Sequence, residues 1–315
     1  MRPRPAHRDA RLTARGARKA SILRHESLYR GCRLCSQKRS PNRRSGNLGR
    51  MDEASYFRDH WVTIEPERLA ASEELFDWPE PIVAMVLDRL GVRSGHVVVD
   101  LGCGPGYLTR AIAREVGDGG HVHGVELNVE FVERARANAA EAGVDGSTTI
   151  HHVVDDRIPI GDGAVDRVLA KNVLEYVRDL AYTLGEMRRV LCSGGRAVAV
   201  DSDWGFIVVE PLTPDEVREV FTAGAPSFRE PYVGRKLRGA FVSAGFIDVT
   251  VEVQVLQDDV GVFRGIVENM LRNGRTFERI SDDRSAGVLA CLDGAIADGT
   301  YLAVVPQFVV TGTAP

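Results

Sequence analysis

The chain has 315 residues, of which 44% are hydrophobic and 27% are charged, a composition typical of globular proteins and unlike that of disordered or fibrous ones. No apolar stretch approaches the length needed to cross a bilayer, so the sequence predicts a soluble protein without a membrane span. The odd number and wide scatter of the five cysteines favour the reducing cytoplasm. The net charge is −4, but the charges are unevenly distributed along the chain. Residues 1–50 hold 15 basic and two acidic side chains, a net charge of +13. Residues 51–315 hold 25 basic and 42 acidic side chains, a net charge of −17.

The N-terminal segment, residues 1–50, has few apolar residues and no sustained period, and we predict that it is a disordered basic extension. It could be an arm that contacts nucleic acid or anionic lipid, or an organellar transit peptide. We favour a third interpretation, an upstream extension outside the working protein, because organised sequence begins after Met51. Cys32 and Cys35 form only half of a zinc pattern, so no metal is expected.

Residues 51–315 are predicted to form one α/β domain. An N-terminal helix over 53–76 is expected to act as a lid, and a second helix over 81–90 ends at Gly91. Short strands rich in β-branched residues then alternate with helices at the spacing of βα units. The strands are predicted at 96–100, 121–126, 148–155, 165–171 and 195–202, and the helices at 107–116, 129–142 and 180–191.

The C-terminal part departs from this simple alternation. Four prolines in residues 203–233 predict an irregular insertion, which a helix over 235–244 and a strand over 247–255 follow. Residues 258–299 are predicted to be a helical insert, with one helix over 260–273 that Gly274 ends and another that Ser281 or Asp282 caps. The last strand, 301–310, contains Pro306, which indicates an edge or a bulge.

Together these elements predict an α/β fold of the Rossmann-like, doubly wound type. The sheet is expected to be mostly parallel and seven-stranded, with helical insertions.

The strongest chemical signal is the stretch Val97–Gly106, in which a buried strand runs into the glycine-rich turn DLGCGPG. Gly102, Gly104 and Gly106 recur at two-residue spacing, and the absence of Cβ atoms lets a ligand approach the backbone closely. Asp100 precedes the turn, and its carboxylate can receive an ammonium group of the ligand, directly or through water.

Acidic and basic residues follow at the ends of the next strands. Glu126 ends the second strand, next to Leu127, at a position where a carboxylate can accept both hydroxyls of a ribose. Asp155 and Asp156 end the third strand, and one of them could accept a hydrogen bond from an adenine amino group. Lys171 ends the fourth strand, where the backbone would line the methionine end of a cofactor.

In these residues the chain resembles the class I S-adenosylmethionine-dependent methyltransferases, especially the ubiquinone/menaquinone-type and related small-molecule enzymes. The resemblance covers about residues 96–255 and includes the motifs DLGCGPG (100–106), VELN (125–128), NVLEYV (172–177), RRVLCSGGRAVAV (188–200) and FVSAGF (241–246). It implies that the cofactor is S-adenosyl-L-methionine. It also implies a methionine side at Asp100, Gly102, Gly104 and Gly106, a ribose contact at Glu126, and an adenine contact at Asp155 or Asp156.

Two other functions compete with this interpretation. An NAD-dependent oxidoreductase would need a third glycine in G-x-G-x-x-G, but Tyr107 and Thr109 stand at the two positions where it would fall. The other alternative is a non-catalytic S-adenosylmethionine-binding protein. Turnover of the bound methyl group would distinguish a methyltransferase from it.

The methyl acceptor is expected to be a small molecule and not nucleic acid or protein. The charge of −17 on residues 51–315 would repel a phosphate backbone. The fourth strand is also not followed by the N/D-P-P-Y/F motif of amino-methylating DNA enzymes. Residues 53–76, 203–233 and 260–296 are expected to cover the site and enclose a small ligand. The sequence also leaves a homodimer possible.

The sequence names candidates for an acceptor pocket but does not choose a catalytic residue. If the acceptor needs a base, the candidates are Tyr56, His60, His151, His152, Tyr176 and Asp203. Trp61, Trp78 and Trp204 could line the pocket. Trp204 is the preferred one because it follows the fifth strand directly.

Overall fold

A computed structural model of the chain describes residues 52–62 and 80–315. The predictions for the basic extension, for Cys32 and Cys35, for Trp78 and for the second half of the N-terminal helix lie outside the described residues. No helix in the described ranges is long and apolar enough to cross a membrane.

An eight-stranded sheet forms the centre of the described part, in the order β3-β2-β1-β4-β5-β8-β6, with β7 paired to β8. The strands are β1 Val97–Leu101, β2 His121–Glu126, β3 Thr148–His152, β4 Val165–Lys171, β5 Leu191–Ser202, β6 Val208–Glu210, β7 Ile247–Asp258 and β8 Leu302–Thr313. Strands β1 to β5 are parallel, whereas β6 and β7 each run antiparallel to β8, as does β5. The predicted fold class is confirmed, and all seven predicted strands are present. The eighth strand is the three-residue β6.

Helices cover both faces of the sheet, as a doubly wound fold requires. The helices are α1 Glu53–Val62, α2 Glu80–Leu90, α3 Tyr107–Val116, α4 Val129–Glu141, α5 Leu180–Val190, α6 Pro214–Gly224, α7 Val233–Ser243, α8 Arg264–Thr276 and α9 Asp282–Asp298. Buried residues of α5 and α7 form one core with the sheet, and those of α2 and α3 form another.

The segment 203–233, predicted to be irregular, is partly ordered into β6 and α6, so that prediction was wrong. Its prolines suggested a break in structure, but Pro214 occupies the first turn of α6, where the missing N–H has no partner to lose. Thr213 and Glu216 complete a capping box at the start of this helix. The side chain of Glu216 accepts the backbone N–H of Thr213 at 2.9 Å.

Two helices, α8 and α9, lie between β7 and β8. The start of α8 is later than predicted because Asp258 accepts the backbone N–H groups of Val260, Gly261 and Phe263, which hold the chain in a turn. Its end is also later, since Gly274 lies inside the helix: a Cβ there would come within 2.9 Å of Ala223 on α6. This glycine permits a close helix contact and does not end the helix.

Pro306 lies inside the sheet, so the predicted edge position was wrong. On one side β8 pairs with β7, where Val255 faces Pro306. On its other side β8 pairs with β5 from Gln307 onward and with β6 up to Val304. Pro306 therefore falls in the gap between β5 and β6 and has a paired strand on only one of its two sides, a position that a sheet tolerates for proline.

The helices α6, α8 and α9 have an apolar core of their own next to the sheet. It contains Trp204, Phe221, Val267, Met270 and Leu292, together with residues from the ends of β6 and β8. This cluster is separate from the two cores that cover the faces of the sheet. The helical segments after β5 and β7 therefore form one packed body beside the carboxyl ends of the parallel strands.

Candidate functional site

A cavity of about 660 Å³ opens at the carboxyl ends of the parallel strands, the edge where open α/β sheets bind ligands. One end of its wall contains Gly102, Gly104 and Glu126. The other end contains Trp204 and Phe263, which belong to the core beneath α6, α8 and α9. A single space therefore joins the glycine turn to the helical insert.

The glycine turn is held in a conformation that other residues rarely adopt. Gly102, Gly104 and Gly106 have φ values of +66°, +52° and +81°, in the left-handed region that favours glycine. The backbone N–H of Gly102 donates to Val125 O at 2.8 Å. A Cβ on Gly102 would overlap a methyl group of Val173, in the loop after β4. The turn is therefore closely packed between the end of β2 and the loop after β4.

Glu126 connects this turn to the next helix. Its carboxylate accepts three backbone N–H groups, those of Gly104 at 2.9 Å, Leu127 at 2.8 Å and Asn128 at 2.9 Å. Burial raises the pKa of Glu126, and the three hydrogen bonds act in the opposite direction. Asn128 in turn caps α4 and donates to Trp61 O at 2.7 Å. Glu126 and Leu127 both line the cavity, as a ribose site at this strand end would require.

Asp100 and Gly106 lie behind the cavity wall and do not line it. Asp100 is buried in β1, and Thr109 Oγ1 donates to its Oδ2 at 2.6 Å. Burial raises the pKa of Asp100 to about 7, although the hydrogen bond from Thr109 lowers it. The carboxyl group is thus fixed beneath the turn that faces the cavity.

The two aspartates after β3 both line the cavity but differ in their partners. Asp156 forms an ion pair with Arg58 of α1 at 3.0 Å, and Arg58 also donates to Val154 O at 2.8 Å. Asp155 is exposed, and its side chain accepts the backbone N–H of Arg157 within its own turn. Arg58 itself is 5% exposed. The helix α1 is therefore anchored at this end of the cavity.

Lys171 lines the cavity with a buried side chain that crosses towards β8. Its Nζ donates to Asn172 Oδ1 at 2.8 Å and to Gln307 Oε1 at 3.1 Å. Burial lowers the pKa of Lys171 to about 7, while the charges of Asp201 and Glu175 raise it. The sequence suggested a role for the backbone here, but the structure also brings the ammonium group into the cavity wall.

Glu175 is a cavity residue that the sequence did not single out. It is 1% exposed, and its Oε2 accepts Trp204 Nε1 at 2.5 Å. Burial raises the pKa of Glu175 to about 7, against hydrogen bonding from the side chains of Trp204 and Tyr176 and the charge of Lys171. Its signals in the sequence were its place in the motif NVLEYV (172–177) and its position four residues after Lys171, in the loop that follows β4.

Of the six candidate bases, Tyr176 alone lines the cavity. Asp203 is buried and bonded to Arg235, with an Nη2 to Oδ1 distance of 2.7 Å. His151 lies on β3 with a ring nitrogen 3.1 Å from one of His123. The remaining candidates also lie off the cavity wall: His152 is bonded to Leu127 O, Tyr56 to Asn273, and His60 to the backbone of Tyr56.

Aromatic rings form the wall opposite the glycine turn. Trp204 stacks on Phe228 with ring centroids 5.3 Å apart, and Tyr176 stacks on the same ring at 5.4 Å. Trp61 of α1 contacts Tyr176 edge-on at 5.2 Å. These four aromatic residues all line the cavity, whereas Trp78 lies outside the described residues.

Comparisons with known proteins agree with this geometry. A family model described as a methyltransferase domain matches residues 93–241. An uncharacterized 37.1 kDa protein in transposon TN4556 of Streptomyces fradiae is 33% identical over 274 residues, which are 84% of this chain and 72% of that protein. The ubiquinone/menaquinone biosynthesis C-methyltransferase UbiE of Enterobacter sp. (strain 638) is 32% identical over 127 residues, 40% of this chain. The chain covers only 50% of that enzyme's length.

Solved structures share the fold at low sequence identity. Phosphoethanolamine N-methyltransferase 2 of Haemonchus contortus, in complex with S-adenosyl-L-methionine, has a TM-score of 0.57 at 18% identity, over 82% of this chain and 60% of that one. The YcgJ protein from Bacillus subtilis has a TM-score of 0.54 at 18% identity, over 75% of this chain and 98% of that one.

Proposed function

The chain belongs to the class I S-adenosylmethionine-dependent methyltransferases, and we propose that it transfers the methyl group to a small, largely apolar or aromatic molecule. The observation that carries this proposal is the single cavity of about 660 Å³, which extends from the glycine turn to an aromatic wall. Its volume suits one cofactor and one small acceptor, and residues of the core beneath α6, α8 and α9, such as Trp204 and Phe263, form part of its wall.

The residues at the glycine end are proposed to hold the cofactor. Gly102 and Gly104 would lie against its methionine part, and Glu126 with Leu127 would contact the ribose. Asp155 is the better partner for the adenine amino group, because Asp156 is already bonded to Arg58.

The buried residues at the same end have less direct roles in this proposal. Asp100 would act on the ammonium group through water, since it lies behind the cavity wall. Gly106 would shape the turn, and Lys171 would contribute at the methyl-transfer end.

Methyl transfer requires the protein mainly to position the acceptor against the cofactor. The sulfonium of S-adenosylmethionine is already activated, so the site must hold a nucleophile in line behind the methyl carbon and exclude water. The stacked rings of Trp204, Phe228 and Tyr176 could orient a flat acceptor against the cofactor.

The test is methyl transfer by the purified full chain from labelled S-adenosylmethionine. We expect product from members of a panel of small phenols, quinols and amines, and none above background from tRNA, DNA or protein. Faster labelling of a polymer than of every small molecule would contradict the enclosed-pocket proposal. Tight binding of S-adenosylmethionine without turnover of any acceptor would favour the non-catalytic alternative. The homodimer stays a prediction, to be measured by light scattering.

Replacing Arg58 with alanine should destabilise the protein and speed release of the cofactor. The change removes the ion pair with Asp156 and the bond to Val154 O, so α1 would lose its anchor beside the proposed adenine site. Loss of hydrogen bonds to a charged group predicts a cost of about 1.5–3 kcal/mol in the free energy of unfolding. Chemical denaturation and stopped-flow measurement of dissociation would check both effects.

Arg218 provides a matched control for this variant. Its ion pair with Asp215 is highly exposed on α6, and such pairs contribute little to stability. Arg218→Ala should leave both the free energy of unfolding and the dissociation rate nearly unchanged. An Arg58→Ala variant that behaved in the same way would show that α1 does not close this end of the cavity.

A further inference from the structure

We propose that the methyl acceptor carries a hydroxyl group on an aromatic or conjugated carbon, and that Glu175 receives the proton of this hydroxyl during methyl transfer. The inference deepens the proposed function and rests on it. It begins from Glu175, a carboxylate that is buried in the cavity wall and held in place from two sides.

The position of Glu175 is fixed by several contacts. Trp204 Nε1 donates to its Oε2 at 2.5 Å. Its backbone carbonyl accepts the N–H groups of Arg229 at 2.9 Å and of Glu230 at 3.1 Å. Trp204 is held in turn by stacking on Phe221 and Phe228. The carboxylate therefore has a defined orientation before any ligand binds.

The second oxygen of this carboxylate has unused capacity to accept a hydrogen bond. Glu175 Oε1 is buried, and no donor within residues 52–62 and 80–315 meets the distance and angle of a hydrogen bond to it, although the Tyr176 side chain is close enough to lower the pKa of the carboxyl. Buried polar atoms normally have partners, and those that lack one often mark a functional site. Because Glu175 lines the cavity, a donor group on a molecule bound there could complete its hydrogen bonding.

The surroundings favour a neutral hydroxyl over a cationic amine as that donor. The ammonium group of Lys171 lies in the same wall and would repel a second positive charge. The rings of Tyr176 and Phe228 stack at an interplanar angle of 28°, a flat surface on which an aromatic acceptor can lie. Burial brings the pKa of Glu175 to about 7, the range in which a carboxylate works well as a base near neutral pH.

The acceptor O–H bond breaks, and its proton moves to Glu175 Oε1. The acceptor oxygen uses an electron pair to form a bond to the methyl carbon, and the C–S bond breaks with its electron pair going to sulfur. Sulfur loses its positive charge, so the products are a neutral methyl ether, S-adenosylhomocysteine and protonated Glu175, which returns its proton to solvent.

Other titratable groups lie around Glu175, and their charges influence its protonation. Lys171 ends β4, Asp201 lies in β5, and Tyr176 is the next residue in the chain. Burial and the charge of Glu175 raise the pKa of Asp201. Because these groups interact, the activity should show apparent pKa values that belong to the cluster and not to one residue.

The main variant is Glu175→Gln, which keeps an oxygen for Trp204 but cannot take up a proton. We expect kcat with alkyl-substituted phenols, which stay neutral in solution, to fall about 100-fold or more, as general-base removal predicts. In the unmodified protein, kcat/KM should rise with pH through about 7, and this rise should be lost in the variant. Calorimetry should give the same Kd for S-adenosylmethionine within about twofold.

Asp203→Asn is the matched control, since Asp203 is also buried and lies next to Trp204 but off the cavity wall. It should lower the melting temperature through loss of the Arg235 ion pair and keep the pH profile of the unmodified protein. Benzylamines of the same ring skeletons, which are cationic near neutral pH, should be poor acceptors. Retention of rate and pH profile in Glu175→Gln, or turnover of benzylamines alone, would overturn the proposal.

A spectroscopic measurement covers the case in which the natural acceptor is missing from the panel. With S-adenosylhomocysteine bound, 4-nitrophenol should bind and develop its visible phenolate band at a lower pH than in solution. In Glu175→Gln it should bind without that shift. Cofactor binding with neither turnover nor a shifted band would overturn this inference and leave the cofactor site standing, whereas absence of cofactor binding would end both proposals.

Discussion

Replacing Glu126 with alanine is expected to weaken the binding of S-adenosylmethionine by at least about 1.5–3 kcal/mol, the contribution of hydrogen bonds to a charged group. This corresponds to an increase in Kd of about 10- to 150-fold. The reason is twofold, because the carboxylate is the proposed ribose partner and also accepts the backbone N–H groups of Gly104, Leu127 and Asn128. Its loss should therefore loosen the glycine turn, and the melting temperature should fall as well.

Calorimetric titration and thermal unfolding of two further variants separate these contributions. Glu126→Gln retains one oxygen that can accept backbone N–H groups, so it should lose less stability than Glu126→Ala. Glu130→Ala, four residues further on the exposed side of α4, should change neither quantity by more than the error of measurement. An unchanged Kd in Glu126→Ala would place the cofactor elsewhere on the protein.

Replacing Gly102 with alanine is expected to produce the largest combined loss of stability and cofactor affinity. The residue has a φ of +66°, which costs a non-glycine residue about 1–2 kcal/mol. The new Cβ would also overlap Val173, and overpacking of this kind costs about 1–3 kcal/mol. We expect a loss of about 2–5 kcal/mol in the free energy of unfolding and at least a tenfold rise in the Kd of the cofactor.

A substitution at Gly143 measures separately the cost of the left-handed backbone conformation. This glycine has a nearly identical φ of +67°, but a Cβ there would meet no atom within 4 Å. Gly143→Ala should therefore lose only the cost of the left-handed conformation and keep full cofactor affinity. Adding Val173→Ala to Gly102→Ala should recover only the part of the lost free energy of unfolding that comes from the overlap with Val173. If Gly102→Ala and Gly143→Ala had equal effects, the packing of the turn against Val173 would be unimportant.

Features that depend on neighbouring residues could be predicted from the sequence. The strand, turn and helix around Gly102 follow from a β-branched run and glycines at fixed spacing, and α3 begins and ends where the pattern predicts, at Tyr107 and Val116. The strand that ends at Glu126 has the predicted bounds for the same reason. These residues carry their conformational preferences locally, so no tertiary contact is needed to assign them.

Features that depend on distant partners could not be predicted. Glu175 is bonded to Trp204, 29 residues away, and nothing near Glu175 in the chain announces that bond. Arg58 meets Asp156 across 98 residues. Gly274 has the composition of a helix end, but α6 packs so closely against it that glycine is needed inside the helix. In each case a long-range contact decided the role of the residue.

The β7–β8 pairing should also allow the proposed acceptor side of the protein to be replaced by the corresponding segments of a relative. Asp258 and Ala303 face each other at the end of this ladder, so the chain leaves and re-enters the sheet at points about 5 Å apart, the spacing of paired antiparallel residues. Because the inserted helices share their core with α6 and Trp204, a transplant from the Streptomyces fradiae relative should carry residues 204–231 and 259–302 together. Such a chimera should keep this chain's own affinity for S-adenosylmethionine, while the set of acceptors that it methylates should change.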